Sequence, residues 1–332
     1  MMKKILLMGG ALLFPMLSFS QKKDSAAPAK KVLSYFADRF PVTRVINVEY
    51  NQVTPYNYTL KLLDKDLPEG KVNNLYQLKA SANIHFIKRP KWMLGTTLSY
   101  QYTSMNINKS GMLSGGPGSE NINFQYHTEA LNLSYFSKLF KKNIVYSGSL
   151  MVDGSDRKFE KIRGVISGTM VLKATPETQM TLGLIAFLDP SSVFSIVPSF
   201  AYRHQFANGL IADVLLPKGL YVRKEVFSQN GRVSLGSELD NTFFYLYNFN
   251  NSSKTYSFSQ LEINSGLTYE HNLGSFFIAT LKTGIKTIPI AQAFEKNKKM
   301  KDYIFDAKPE ASFYFNIGIS FNPFAKAKNK RF

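Results

Sequence analysis

The sequence predicts an all-β fold, a single transmembrane antiparallel β-barrel of about fourteen strands with short periplasmic turns and longer outer loops. Three observations carry that expectation. Apolar and polar residues alternate in many runs. The clearest is Leu75 to Lys88, where Tyr76, Leu78, Ala80, Ala82, Ile84 and Phe86 share one face and Gln77, Lys79, Ser81, Asn83 and His85 the other. A period of two is the mark of a β-strand. The connections between runs switch between very short and long, as in barrels inserted from the periplasm. Aromatic residues reach 14%, with 18 Tyr and 27 Phe against one Trp, and such residues suit strand ends at the two membrane interfaces.

Taken in order, Met1 to Ser20 has Lys3 and Lys4, an apolar stretch from Ile5 to Phe14, and small residues at Ser18 and Ser20. This is the pattern of a secretory signal peptide. Residues 21–41 begin with Lys, Ala, Ser and Pro and read as a flexible periplasmic lead-in, too short for a packed plug domain. The barrel is assigned to 42–322. Its strands fall near 42–52, 74–88, 92–103, 123–137, 143–153, 163–174, 178–189, 193–206, 209–216, 220–228, 231–247, 257–271, 275–289 and 311–322. Short connections such as 89–91, 138–142, 175–177, 207–208, 229–230 and 272–274 alternate with the others, of which 53–73, 104–122 and 290–310 are the longest. The connections at Pro190 and Pro217 are short for the outer side, which implies a low rim there. The last strand presents Phe313, Phe315, Ile317, Ile319 and Phe321 on one face, an ending suited to the barrel-insertion machinery, and a basic tail, 323–332, follows.

Composition narrows the function classes. Hydrophobic residues make up 44% of the 332 and mean hydropathy is −0.15, too polar for a helical membrane protein and ordinary for a barrel with a polar lumen. The absence of cysteine excludes a disulfide framework, thiolate chemistry and a lipid-bearing cysteine. A net charge of +18 calls for an anionic partner. Outer-membrane lipids, anionic glycolipid or a small solute fit an exported chain better than nucleic acid, for which no helix-turn-helix, zinc-ligand or RNA-binding pattern is present. The basic residues cluster beside strand ends, as Lys88, Arg89 and Lys91, as Lys138, Lys141 and Lys142, and as Lys326, Lys328, Lys330 and Arg331 in the tail, and the loop 290–310 holds a further cluster at Lys296, Lys298, Lys299 and Lys301.

Strand parity also places charges inside the barrel. In the run Gln260 to Glu270, Leu261, Ile263, Leu267 and Tyr269 face lipid while Glu262, Asn264, Gly266, Thr268 and Glu270 face the lumen. The lumen-lining candidates are Lys79, Asp213, Arg223, Glu225, Glu238, Glu262, Lys282 and Lys286. Asp213 is expected opposite Arg223, with Glu225 one step further, and Glu262 is expected to face both Lys282 and Lys286. Opposite charges paired in a lumen offset part of their desolvation cost and help to fix register, or they form an electrostatic constriction. No catalytic residue, metal site or cofactor is assigned. A membrane-embedded hydrolase would need His127 and Ser99 or Ser134 on one surface of the barrel.

The segment Val214-Leu-Leu-Pro-Lys-Gly-Leu-Tyr-Val-Arg-Lys-Glu-Val226, followed by Gly231-Arg-Val-Ser-Leu-Gly236, resembles a family of uncharacterised outer-membrane proteins from Bacteroidetes-type, Gram-negative bacteria. The resemblance implies placement in the outer membrane and brings no catalytic residues. The leading expectation is a passive or partner-gated channel for small solutes, with a continuous lumen and few large inward side chains. The alternatives are a structural or docking barrel that binds surface glycolipid or a partner, and a lipid-modifying enzyme.

Overall fold

The computed structural model describes residues 27–109, 118–189, 192, 194–228, 230–249, 252–274 and 276–323. The expected signal peptide, the first part of the lead-in, residues 110–117 of the expected 104–122 loop and the tail beyond Pro323 lie outside them, and the flanking parts of that loop, 104–109 and 118–122, are the ends of the strands on either side of it. Each strand faces lipid on one side and a polar interior on the other, so alternation is imposed along its whole length. The strands are β1 (Ile46–Val53), β2 (Tyr56–Leu62), β3 (Lys65–Lys88), β4 (Trp92–Lys109), β5 (Gly118–Leu139), β6 (Lys142–Gly154), β7 (Phe159–Ala174) and β8 (Thr178–Phe187). They continue with β9 (Ile196–Gln205), β10 (Leu210–Leu216), β11 (Gly219–Val226), β12 (Gly231–Leu246), β13 (Tyr256–Gly274), β14 (Phe277–Glu295), β15 (Tyr303–Pro309) and β16 (Ser312–Phe321).

Every neighbouring pair is antiparallel, and β1 joins β16 on one side and β3 on the other, which closes the sheet. β1 and β2 are one wall position interrupted at Thr54 and Pro55, where proline removes a ladder donor. β15 and β16 are likewise one position broken at Glu310 and Ala311. Sixteen segments therefore make a fourteen-strand barrel. The outer wall is apolar. Leu131, Leu133, Ile166, Leu182, Leu184, Leu235, Leu267, Ile285, Ile317 and Ile319 are all exposed on it. A band of that extent is the surface of a protein immersed in lipid.

Two expected outer loops are strands instead. Residues 53–73 hold β2 and the upper part of β3, joined by a tight hairpin in which Leu63 and Asp64 both adopt positive φ, as a two-residue turn of the hairpin type requires. Residues 290–310 hold the upper part of β14 and β15. Both segments keep pairing above the membrane because Tyr58, Leu60, Ile288, Ala291, Phe305 and Ala307 pack into an apolar cluster there. The opposite side is low, with 10, 10, 7 and 8 residues in β8, β9, β10 and β11, against 24 in β3 and 22 in β5.

The lead-in is also corrected. Ala27–Arg39 forms an α-helix, α1. Its buried side chains Leu33 and Ala37, with Phe40 just beyond, recur at the spacing of one helical face, and Leu33 packs on Met93 and Phe136 at the short-turn end of β4 and β5.

Candidate functional site

The interior of the barrel is closed at two levels. At the short-turn end the closing element is α1, and it is held by charge. Arg39 is stacked on Tyr35 and donates to Asp213 on β10 at 3.2 Å, with both side chains almost fully buried. Asp213 also lies 3.0 Å from Arg223 on β11, off the hydrogen-bonding direction, so one carboxylate sits between two guanidiniums. Asp38 receives Arg203 of β9 at 2.9 Å and Arg232 of β12 at 3.1 Å. Arg232 in turn holds Glu270 of β13 at 2.5 Å, and Glu270 accepts a bond from Arg44, which also reaches Ser320 on β16. Burial alone would raise the Asp38 carboxyl, but the Arg232 and Arg203 guanidiniums outweigh it and hold the group well below the usual carboxylate range.

The outer level is closed by β12 itself. Above Leu239 it has outrun β11 and leans across the mouth while still paired with β13. Thr242, Phe243, Phe244 and Tyr245 are consecutive and all buried, so both faces of the strand are covered there. Across the interior, Thr242 meets Gln77 of β3 at 3.0 Å, and the Phe244 ring stacks on Phe124 of β5 at 3.8 Å. Tyr245 donates to Asp153 of β6 at 2.6 Å. Asp153 and Asp189 are bridged by Arg163 of β7, whose guanidinium also lies over the Phe243 ring at 4.6 Å. At the tip, Tyr247 bonds Ser155 and Glu160, and Glu160 is paired with Lys296 at 2.6 Å.

Between the closures lies a narrow polar space lined by Glu49, Asn51, Lys79, Glu238, Asp240 and Lys282, among others, with room for about one or two water molecules. A row of directly opposed glycines, Gly236, Gly266 and Gly284, runs across β12, β13 and β14 beneath it. A Cβ on Gly284 would stand 2.1 Å from the Ser265 carbonyl oxygen, so the close approach there needs glycine.

The structure places the sequence candidates as follows. Lys79 reaches Asp240 of β12 across the interior at 2.8 Å. Asp213 and Arg223 pair, although the direct partner of Asp213 in register is Tyr221. Glu262 pairs with Lys286 and accepts bonds from Thr242 and Gln260. Lys282 does not join them. It is bound by Glu238 at 2.9 Å, and Glu238 also accepts a bond from Tyr221, because the diagonal across β13 and β14 brings Lys282 nearer to β12 than to Glu262. Glu225 sits exposed near the short-turn end of β11, beside Arg232 in register. His127 lies against Phe159, whereas Ser99 and Ser134 bond Thr128 and Ser147 in the next strand on the other face of the wall, so parity separates the base from both hydroxyls. Sequence reasoning passed over Asp38, Arg39, Arg44, Asp153, Arg163, Arg232 and Asp240. One signal was available, since Thr242-Phe243-Phe244-Tyr245 breaks the alternation and reads as a strand buried on both faces.

A closed, lipid-facing barrel with a charge-filled interior defines the class as a transmembrane β-barrel protein. Among solved structures, the chain is similar to an outer membrane channel from Pseudomonas putida F1, at 9% identity, with 83% of this chain and 94% of that one covered and a TM-score of 0.33. It is similar also to a FadL homologue of Pseudomonas aeruginosa (8% identity, 86% and 93% covered, TM-score 0.40) and to the transport unit of the autotransporter AIDA-I from Escherichia coli (9%, 91% and 100%, 0.32). No protein-family model and no curated protein matches the chain. The resemblance to the Bacteroidetes-type family thus rests on the quoted residues alone.

Proposed function

We propose that this is an outer-membrane channel for small polar solutes that rests closed and opens when its two internal closures are displaced. The supporting observation is how the closures are attached. α1 is tied to the wall through Arg39, Asp38 and the arginines around them, and the upper part of β12 through Lys79, Gln77, Asp153 and Arg163. Such contacts can be exchanged for solvent or for a partner without unfolding the wall. Between them the interior is lined by Glu49, Asn51, Lys79, Glu238, Asp240 and Lys282. The passive, permanently open form of the channel reading does not fit, because Arg39, Arg44, Phe243, Phe244 and Tyr245 are large side chains buried in the interior. Planar-bilayer recording tests the proposal. The native chain should be silent, and loosening both closures should produce conductance steps; silence from chains with both closures loosened would remove the channel reading.

A second reading, a docking barrel, draws on the tall outer wall of β2, β3, β14 and β15. There Lys296 is held by Glu160, and Lys298, Lys299 and Lys301 lie in the same connection. It expects a stoichiometric partner to co-purify and to be lost when these lysines are changed to Gln.

A further inference from the structure

The short-turn rim is divided electrically. Three adjacent hairpins, β3 to β4, β5 to β6 and β7 to β8, occupy one half of it, because β3 to β8 are consecutive in the sheet. They carry Lys88, Arg89 and Lys91, then Lys138, Lys141 and Lys142, then Lys173, all exposed, against one carboxylate, Glu177. The turns of the other half, 206–209, 227–230 and 274–276, contain no charged residue at all and offer Phe206, Phe227 and Phe276 instead. Within two residues of those turns the strands add only Glu225 and Arg232, of opposite sign, so among the described residues net positive charge is concentrated on the first arc.

Its depth is set by the aromatic residues just inside it. Phe86, Trp92, Tyr135 and Tyr146 are exposed on the outer wall of the same strands. Lys91 is adjacent to Trp92, and Lys138 is three residues beyond Tyr135. At about 3.3 Å per strand residue the cations lie about 3–10 Å beyond the aromatic belt, which is the headgroup layer of the leaflet. The turns are too tight to carry them further into the periplasm. Phe140, the most exposed ring of the set at 82%, stands among Lys138, Lys141 and Lys142. Lys142 also donates to the Leu172 carbonyl at 3.2 Å, which fixes its ammonium between the ends of β6 and β7.

We propose that this arc, centred on Lys138, Lys141, Lys142, Arg89 and Lys91, binds the phosphate groups of anionic phospholipids in the periplasmic leaflet. Cations at headgroup depth beside amphipathic rings fit a lipid phosphate, and an arc of one sign selects anionic over zwitterionic lipid. The binding does not depend on whether the barrel conducts.

The test is native mass spectrometry of the full chain released from nanodiscs of phosphatidylglycerol mixed with phosphatidylcholine. The native chain should retain phosphatidylglycerol in preference. Lys138→Gln with Lys141→Gln and Lys142→Gln, and separately Arg89→Gln with Lys91→Gln, should lower that retention about tenfold or more, while Lys224→Gln on β11 leaves it unchanged. Heat-modifiable gel mobility reports that each variant is folded. Equal retention of the two lipids by the native chain would overturn the proposal, as would equal losses in the Lys224→Gln control. So would variants that keep their phosphatidylglycerol but lose binding to an acidic peptide, which would assign the arc to a protein partner.

Discussion

Asp213→Asn is the substitution that should release α1. Asp213 lies between Arg39 and Arg223, and all three side chains are nearly inaccessible. Removing the carboxylate charge leaves two guanidiniums facing each other in a buried site. Breaking a buried pair by deleting one partner costs about 3–5 kcal/mol. The wall strand that carries Arg223 is held on both sides by β10 and β12 and cannot leave. The helix can, so the cost falls on its docking equilibrium and shifts it by about 10² to 10³ or more towards release. Hydrogen exchange of the α1 amides measures that shift directly. Arg39→Met is the matched comparison, because it removes the same bond yet leaves Asp213 still paired with Arg223, and its effect should be several-fold smaller. If Asp213→Asn leaves α1 as protected as in the native chain, or if Arg39→Met exposes it more, the charge-held plug is wrong.

Other consequences can be measured in the same way. The Asp38 carboxyl is held below its ordinary range, so its contribution to docking is fully present above the unfolded value of about 3.9 and is lost only as pH falls through the lower folded value. Protection of α1, corrected for intrinsic exchange, should hold from pH 7 to about pH 4.5, and Asp38→Asn should reduce it throughout. Phe244→Ala empties a place stacked between Phe124 and Phe258 and should weaken the seating of β12 by about 3–5 kcal/mol, read as proteolytic cutting near residues 248–255 that the native chain resists. Gly284→Val sets a branched side chain against the Ser265 carbonyl, so the folded band on heat-modifiable gels should convert at a lower temperature; an unchanged conversion temperature would count against the glycine row.

Much of the wall was legible because a single-layer barrel writes both of its solvents into every strand. β13 alternates from Gln260 to Glu270, and β16 repeats the pattern to Phe321. β2 alternates just as plainly in Tyr56, Tyr58, Leu60 and Leu62, inside the stretch 53–73 that the sequence reading assigns to an outer loop. Parity says which face a charge occupies, but not which charge it meets across the interior. Lys79 and Asp240 are 161 residues apart and lie on strands that are not neighbours. Their meeting follows from β12 leaning inward, which depends on β11 being short. α1 escaped for a different reason. Among its described residues the buried apolar side chains are Leu33 and Ala37, with Phe40 just beyond, in a segment rich in Lys and Ala, and its attachment is by charges whose partners come from β9, β10 and β12.

Single-channel recording of four chains is the most direct test of the proposed two closures in series over one polar passage. With the native protein, Asp213→Asn, Phe244→Ala and the double variant each reconstituted in planar bilayers, the native chain should be silent, each single variant should conduct rarely or not at all, and the double variant should show frequent steps. Steady conductance from the native chain, or silence from a double variant whose α1 and β12 are demonstrably released, would contradict it.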